Sequence, residues 1–526
     1  MVTRCAKMLK SSDSQVSSTA SGDATLADAA PAAEEKKVMD ISIALWDLTE
    51  FGNDDVGKKI SDDLKVNITV VPMDWGNYVE QKQLWAASNN LPDVIGTYTV
   101  DDDITRFYGW QESGLTRTIP DEMINKYPTV KMLFENNDIQ KMVKSIKNAN
   151  FAIPRPNSLK NLYQFDQGVG FYYRKDWLAN VGITKEPETI DELYDMLKKF
   201  TLNDPDQNQK NDTYGITTSK APYMTFCWWG VNPESWIQED GKWIPGYASP
   251  KILEALKFWN KIFKEKIIDP EFAINNLNQS IQKFSQGTFG VVARNVDDRW
   301  VYKMAMENFA KAQGMDKAGA DKVLESIGIL APIKVDQSST SMWPRIMDTS
   351  GTEISAKVDD EKLERIMELY EYLSTPEMLT TLRYGFEGKE YVKNGDAIVP
   401  VANPQTGLAY NIAAIYPSAA INELVSWDMD NATETPSIPQ PIKDLAKKVR
   451  DQFNPIAGKD NLEIRFMSTP AKDATYVDVR EEFTTLMMTN GDIEQAYNKW
   501  LQEQMDKGIS SAIAELNAKA AELGIK

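Results

Sequence analysis

The chain has 526 residues, of which 42% are hydrophobic and 26% charged, with a formal net charge of −19. This length exceeds what one hydrophobic core usually supports, so a soluble globular protein with two or more domains or lobes is expected. The negative charge argues against a nucleic-acid partner, and the absence of histidine excludes Ser-His-Asp triads and histidine zinc sites, while glycosidase chemistry by paired carboxylates stays open.

The N-terminal region is predicted to be a disordered tether. Residues 11–37 are mostly small or polar and contain no aromatic side chain, so they cannot bury enough apolar surface to offset ordering. A plain flexible terminus is the alternative. The first ten residues lack the apolar segment of a signal peptide, so either the signal is not present in this chain or the protein is cytosolic.

The globular part is predicted to be α/β with mostly parallel sheets, because strand-like and helix-like segments alternate. Residues 41–45 alternate apolar with small or polar side chains, as a first strand does. A capping box at Thr189, a Ser-Pro start at Ser249 and an apolar stripe from Asp360 each indicate a helix. The last hundred residues are predicted to be mainly helical.

One polar loop has the spacing of a calcium site. Oxygen-bearing side chains alternate along it, and the main-chain carbonyl of a lysine can add another ligand; calcium prefers about six to eight oxygens. Gln209 and Gly215 stand where an EF-hand has its turn glycine and its bidentate glutamate, so no sensor EF-hand is expected. An ordinary polar turn is the alternative. The predicted ligands are Asp204, Asp206, Asn208, Lys210 and Asp212.

The aromatic side chains fall into two predicted groups. Trp177, Trp259 and Trp500 lie on apolar helix stripes and are predicted to be core residues. The others follow strands or lie in loops, where ligand sites of α/β sheets occur, and a flat ring suits the C–H face of a sugar. This second group comprises Trp46, Trp75, Tyr98, Tyr223, Trp228, Trp229, Trp300, Trp343 and Tyr476.

Five segments in order resemble the extracellular solute-binding proteins of ABC sugar importers, the group that includes maltodextrin- and alginate-binding proteins. The resemblance covers most of 38–526 and is closest to the large calcium-containing members. The segments are Leu91–Ile95 with Ser113–Leu115, then Phe171–Leu178, Thr189–Leu193, Phe284–Gly290 and Leu369–Glu377.

The resemblance implies a two-lobed, type II periplasmic-binding-protein fold. Each lobe would be a mainly parallel sheet flanked by helices, and crossover segments would form the hinge. The implied organisation is a tether at 1–37, an N-lobe at 38–165 plus 345–425, and a C-lobe at 166–344 plus 426–526, with the calcium loop at 204–213.

The resemblance also implies site residues and gives the calcium a structural role. Trp46 and Asp47 would end the first strand, Tyr98 would lie on the N-lobe rim, and Tyr223 would follow Ala221-Pro222. Trp300, which follows Arg299, and Tyr476 fall where relatives present stacking rings. Trp228, Trp229 and Trp343 are further predicted contacts without a matching position, and Trp75 is predicted as an aromatic residue at a strand end or in a loop.

The predicted function is capture of an oligosaccharide by a monomeric protein that delivers it to the permease subunits of an ABC importer. A neutral sugar is favoured, and a uronic-acid sugar needs only a local cation such as Arg155, Arg294, Arg299 or Arg345. A carboxylate glycosidase and a cell-surface carbohydrate adhesion module are the alternatives.

The predicted location is the outer face of a bacterial membrane, by a lipid anchor, or the periplasm. Residues 11–37 would then be the tether behind a lipidated cysteine. Cys5 is the available residue, although Val2-Thr3-Arg4 departs from the pattern that precedes a lipidated cysteine.

Overall fold

The computed structural model describes residues 36–98, 109–156, 169–315, 318–340, 350–405, 407–426, 437–458 and 461–525. Nearly all of the predicted tether, with Cys5, lies outside these ranges, as do Trp343 and Arg345. The residues that the structure describes include no helix long and apolar enough to cross a membrane.

Fourteen strands lie in the described ranges. They are β1 (Met39–Ala44), β2 (Val66–Val70), β3 (Val94–Tyr98), β4 (Thr116–Arg117), β5 (Ala152–Pro154), β6 (Val169–Arg174), β7 (Tyr214–Thr217), β8 (Trp236–Glu239), β9 (Lys242–Pro245), β10 (Phe289–Asn295), β11 (Ile327–Ile329), β12 (Ser350–Ser355), β13 (Tyr391–Asn394) and β14 (Ala397–Pro400).

Two separate sheets organise the chain into two lobes. The first lobe contains a six-stranded sheet with the order β2-β1-β3-β12-β4, and β5 also pairs with β12. The second lobe contains a four-stranded sheet with the order β11-β6-β10-β7. Two hairpins, β8-β9 and β13-β14, lie outside these sheets.

Strand pairing is mixed in both sheets rather than mainly parallel. β1 runs parallel to β2 and β3, and β10 runs parallel to β7. β12 is antiparallel to β3, with Ser350 opposite Tyr98 and Ile354 opposite Val94. β12 therefore enters the first sheet at the edge where β3 ends, and β5 leaves it there, since Pro154 pairs with Gly351. β12 alone runs against β3, and β5, which is antiparallel to β12, runs in the same direction as β3.

The helices cover the faces of the two sheets. The α-helices are Asp55–Leu64, Tyr78–Ala87, Asp121–Lys126, Pro128–Glu135, Asp138–Lys147, Lys175–Asn180, Ile190–Leu202, Pro250–Lys264, Leu277–Ser285, Asp298–Tyr302, Ala320–Val323, Asp360–Leu373, Pro376–Tyr384, Ile412–Ile415, Gln440–Phe453, Leu462–Phe466, Pro470–Asp473, Val479–Met487, Ile493–Gln504 and Ser510–Leu523. Short 3-10 helices are Tyr223–Trp229, Gly246–Ala248, Pro417–Leu424 and Asn454–Ile456, and π-helical turns are Lys303–Ala310 and Met505–Ile509.

The predicted helix starts are confirmed by their caps. The side chain of Thr189 accepts from the main-chain N–H of Glu192, whose carboxylate accepts in return from the N–H of Thr189. Ser249 caps Pro250–Lys264, and Asp359 caps Asp360–Leu373. Each cap satisfies N–H groups that the first turn leaves without helical partners.

Each lobe has its own core. The first is built around β1, the Asp360–Leu373 helix and residues 412–425, and the second around β6, β7, β10 and the Pro250–Lys264 helix. Trp177, Trp259 and Trp500 are buried in the second lobe, which confirms their prediction as core residues. The Leu462–Phe466 helix contacts both lobes, since Phe466 packs on Val143 of the first lobe and Ile464 on Trp243 of the second.

Candidate ligand-binding cleft

A cleft of about 1000 Å³ lies between the two lobes. The first lobe contributes the segment from Trp75 to Gln83, at the start of a helix. The second lobe contributes residues 218–225, the end of β10 at 292–295, and residues 475–481. Four of the side chains that the sequence predicts as ligand contacts line this cleft: Trp75, Tyr223, Arg294 and Tyr476.

Trp46 supports the cleft from below. It follows β1, is 4% exposed, and its ring stacks on that of Trp75 with centroids 4.9 Å apart and planes 19° apart. Tyr78 packs edge-on against the Trp46 ring at 5.6 Å. Gly96 on β3 leaves room for this ring, because a Cβ there would lie 2.7 Å from Cζ3 of Trp46. Trp75 therefore lines the cleft, whereas Trp46 is a buried platform.

Asp47 joins the two lobes. Its Oδ2 accepts a hydrogen bond from Nη2 of Arg299 at 2.9 Å, and its Oδ1 accepts one from Nε1 of Trp75 at 3.4 Å. Burial opposes ionisation of this carboxyl, but the charges of Arg299 and Lys303 outweigh it and lower the pKa of Asp47. Asp47 is therefore a carboxylate that faces a cation of the other lobe.

A buried ion pair lies behind Asp47. Glu423 Oε2 accepts from the main-chain N–H of Asp47 at 3.1 Å, and Glu423 Oε1 accepts from Nη1 of Arg155 at 3.1 Å. The side chains of Arg155 and Glu423 are 0% and 2% exposed. Burial raises the pKa of Glu423 to about 7, although Arg155 opposes the shift. Arg155 is therefore committed inside the first lobe rather than offered to an acidic sugar.

Cations cover the ring of Trp300. The guanidinium carbon of Arg294 lies 3.5 Å from the ring centroid, and Nζ of Lys303 lies 4.7 Å from it. Such stacking is favourable because the ring face is electronegative. Burial lowers the pKa of Lys303, and the neighbouring Arg299 adds to the effect. Arg294 lines the cleft, so it is the member of this stack that faces a ligand.

Tyr223 and Tyr476 lie on the wall of the second lobe. Tyr223 is 9% exposed, and the guanidinium carbon of Arg480 lies 4.8 Å from its ring centroid. Tyr476 is 62% exposed and Ile274 is 79% exposed, and both line the cleft. The wall therefore presents apolar surface to whatever enters.

Trp228 and Trp229 lie in the core of the second lobe and not on the cleft lining. They are 2% and 8% exposed, and the ring of Trp228 packs against Phe171 at a centroid distance of 5.0 Å. Their 3-10 helix contacts the Pro250–Lys264 and Val479–Met487 helices, and both rings pack on the first of these, Trp228 on Trp259 and Trp229 on Phe258. Tyr98 ends β3, and its side chain lies outside the described residues, like Trp343 and Arg345.

The predicted calcium loop folds around its own polar side chains. The carboxylate of Asp204 accepts from the N–H groups of Asn208 and Gln209, and Nδ2 of Asn208 donates to Asp206 and Asp212. Burial, a hydrogen bond with Asp204 and the charge of Asp212 raise the pKa of Asp206. Within the described ranges, no group of three or more His, Cys, Asp or Glu side chains is arranged to hold a metal ion.

Three residues of this region were missed by the sequence analysis. Glu423 is a single charged residue in the otherwise apolar or small stretch around Ile421 and Leu424, and that pattern indicates a buried charge. Arg480 and Ile274 carry no such signal, since both lie in ordinary mixed segments.

Residues 58–315 match the family model of the bacterial extracellular solute-binding proteins. This part of the chain belongs to that family. The proteins of this family are solute-binding proteins and not enzymes.

Two curated relatives of this chain come from Bacillus subtilis. The polygalacturonan/rhamnogalacturonan-binding protein YtcQ is 25% identical over 345 residues, which cover 63% of this chain and 62% of YtcQ. The lipoprotein LipO is 26% identical over 231 residues, which cover 42% of this chain and 44% of LipO. The chain thus spans less than two thirds of either relative.

Solved structures confirm the two-lobed fold of this chain. The Streptococcus pneumoniae ABC-transporter substrate-binding protein FusA, in complex with kestose, has a TM-score of 0.64 at 16% identity and covers 93% of this chain and 99% of its own. The alginate-binding protein AlgQ2, solved without calcium ion, has a TM-score of 0.65 at 17% identity and covers 92% of this chain and 98% of its own.

Proposed function

We propose that this protein captures an oligosaccharide in the inter-lobe cleft and delivers it to the permease of an ABC importer. The observation that carries the proposal is the cleft itself, which has Trp75 on one wall and Tyr223 and Tyr476 on the other. Aromatic rings supply stacking surface, and neighbouring polar groups bond hydroxyls. A sugar that touches both walls binds the closed form better and so shifts the lobes toward closure.

The proposed oligomeric state and location are those expected for this family. The protein would act as a monomer on the outer face of a bacterial membrane, held by a lipid anchor, or in the periplasm, and would meet two permease subunits there. The LipO relative, which is a lipoprotein, supports the anchor. The roles of the cleft residues are part of this proposal.

The ligand is proposed to be an oligosaccharide, with neutral and uronic-acid sugars as the two classes to compare. FusA with kestose supports a neutral sugar, and YtcQ, a polygalacturonan-binding protein, supports an acidic one. The lining carries basic residues such as Lys220 and Arg294 beside acidic ones such as Glu80 and Glu481, so its charges are mixed. The overall negative charge does not choose between the classes.

A structural calcium ion in the loop at 204–213 is also part of the proposal. The donor chemistry fits, because carboxylates and amide oxygens are the ligands that calcium prefers. Burial, a hydrogen bond with Asp204 and neighbouring carboxylates together raise the pKa of Asp206. Asp204, Asp206, Asn208, Asp212 and the carbonyl of Lys210 would hold the ion. The alginate-binding protein AlgQ2 was solved without calcium ion, which supports calcium binding by related proteins. The ion would neutralise the loop and stiffen it.

A thermal-shift screen against neutral and uronic-acid oligosaccharides, at constant calcium, tests the function. A ligand present at a hundred times its Kd adds about 2.7 kcal/mol to stability, which moves the melting temperature by a few degrees. A shift with one class supports capture and selects the class. No shift with either class would contradict the proposal.

Two further readouts separate the alternatives. Chromatography of the sugar after incubation should return it intact, whereas shortened products would indicate a carboxylate glycosidase. Small-angle scattering should show compaction with a short oligosaccharide, whereas binding to polymer without compaction would indicate an adhesion module.

A further inference from the structure

A chain of four charged side chains runs from the core of the first lobe across to the second lobe. Arg155 and Glu423 form its buried end, Asp47 lies in the middle, and Arg299 forms its far end. The side chains of Asp47 and Arg299 are 21% and 29% exposed, so water partly reaches this contact. The Asp47–Arg299 contact is the step of the chain that joins the lobes.

The inner pair fixes the direction of Asp47. Glu423 accepts from the main-chain N–H of Asp47 with one oxygen and from Arg155 with the other. Arg155 also donates to the main-chain carbonyl of Glu423 at 3.2 Å and packs on the ring of Trp46 at 5.0 Å. These contacts lie within the first lobe and do not depend on how the lobes are placed.

We propose that Asp47 and Arg299 form an inter-lobe latch that stabilises the closed arrangement, and that Glu423 and Arg155 are positioning residues that aim Asp47 at Arg299. The latch rests on the lobe closure of the proposed function but not on the identity of any ligand. A partly exposed ion pair of this kind changes an equilibrium by about two- to fivefold. The latch therefore favours the closed arrangement only slightly, and a bound ligand can still determine whether the lobes close.

Charge at Glu423 couples the latch to pH. The groups that act on Glu423 are Arg155, Asp47 and Arg299, and the positive charge of Arg299 lowers the pKa of Glu423. In the proposed latch, lobe closure brings the positive charge of Arg299 toward Glu423, so ionised Glu423 favours closure and protonated Glu423 weakens it. The closed fraction should therefore rise as pH increases through about 7. The chain contains no histidine, so few other groups titrate there.

Distances between spin labels on the two lobes test the latch without a ligand. Labels at exposed positions, Asn125→Cys in the first lobe and Asn498→Cys in the second, are read in a chain carrying Cys5→Ser, since Cys227 is buried. Asp47→Lys and Arg299→Glu should each reduce the short-distance population by about two- to fivefold. The double charge swap should restore it.

The matched control is Lys362→Glu. It makes the same change in net charge as Arg299→Glu, but the pair of Lys362 with Asp93, 3.3 Å apart, lies within the first lobe. This variant should leave the distances unchanged. Where a charge reversal fails to fold by circular dichroism, Asp47→Asn and Arg299→Gln take its place.

The positioning role has its own readout. The parent should be more closed at pH 8 than at pH 6, whereas Glu423→Gln should show the same distances at both, because glutamine still accepts from Asp47 but cannot titrate. Identical distance distributions for the parent, the single variants and the charge swap would overturn the latch. A pH response retained in Glu423→Gln would overturn the role of Glu423. Both results can be interpreted even if no sugar shifts the melting temperature, because the distance measurements use no ligand.

Discussion

Two tryptophan pairs in this protein differ in their relation to the cleft. Trp75 and its platform Trp46 lie in the first lobe, and Trp75 lines the cleft. Trp228 and Trp229 lie in the second lobe, with centroids 6.4 Å apart, and both are buried in its core. All four were predicted to contact ligand.

The difference comes from what covers each pair. The first pair follows the ends of β1 and β2, where the sheet edge meets the cleft, so only the inner ring is covered. The second pair lies on a 3-10 helix, and both rings pack on the Pro250–Lys264 helix and are outside the cleft lining. A dense group of aromatic residues therefore does not by itself predict that a ring lines the cleft.

Trp228→Ala should have the largest effect, and it should act on stability. Removing a buried tryptophan leaves a cavity in the second core and costs about 3–5 kcal/mol. Urea unfolding followed by circular dichroism measures the change. Sugar affinity of the folded fraction should stay near that of the parent, and a selective loss of affinity would place Trp228 in the site after all.

Gly96→Ala tests whether Trp46 is a platform. The new Cβ would meet the Trp46 ring at 2.7 Å, so the ring must move or strain the strand, at a cost of about 1–3 kcal/mol. The displaced ring should also disturb Trp75 and weaken sugar binding. Gly114→Ala is unsuitable as a control because Gly114 has a positive φ of 72°. Gly109→Ala meets no atom of the described residues within 4 Å and should change neither property.

Much of the fold could be predicted from sequence because its signals are local. The alternation at 41–45, the Thr189 capping box and the apolar stripe carrying Trp259 each depend on neighbours within one element. The antiparallel entry of β12 could not be predicted, since it depends on how the chain passes between lobes. The burial of Trp228 likewise depends on helices distant in sequence, and the role proposed for Glu423 requires Asp47, 376 residues away.

Trp75→Ala should reduce sugar affinity while leaving the fold nearly unchanged. Truncation of an aromatic anchor in a binding site commonly costs more than about 1 kcal/mol, or about fivefold in Kd. Titration calorimetry with the sugar that shifts the melt measures it. Leu84→Ala is the control, because Leu84 lies on the adjoining helix, is 67% exposed and is outside the cleft lining. Equal affinities for the two variants would remove Trp75 from the site.

Asp206→Asn should have the smallest effect, and it separates second-lobe stability from sugar binding. Without calcium, the raised pKa of Asp206 means that its folded-state protonation stabilises the protein below the ordinary value of 3.8, and this stability is lost as pH rises through the raised pKa. At pH 7 the neutral side chain removes repulsion from Asp204 and Asp212, so the metal-free variant should match or exceed the parent by about 0.5 kcal/mol or less. With calcium the order should reverse, because the variant loses a charged ligand. Thermal melts with calcium and with a chelator measure the stability difference between variant and parent in both conditions. A parent protein whose melting temperature does not rise with calcium would contradict the metal site. Sugar affinity should be the same in both proteins when their stability is matched.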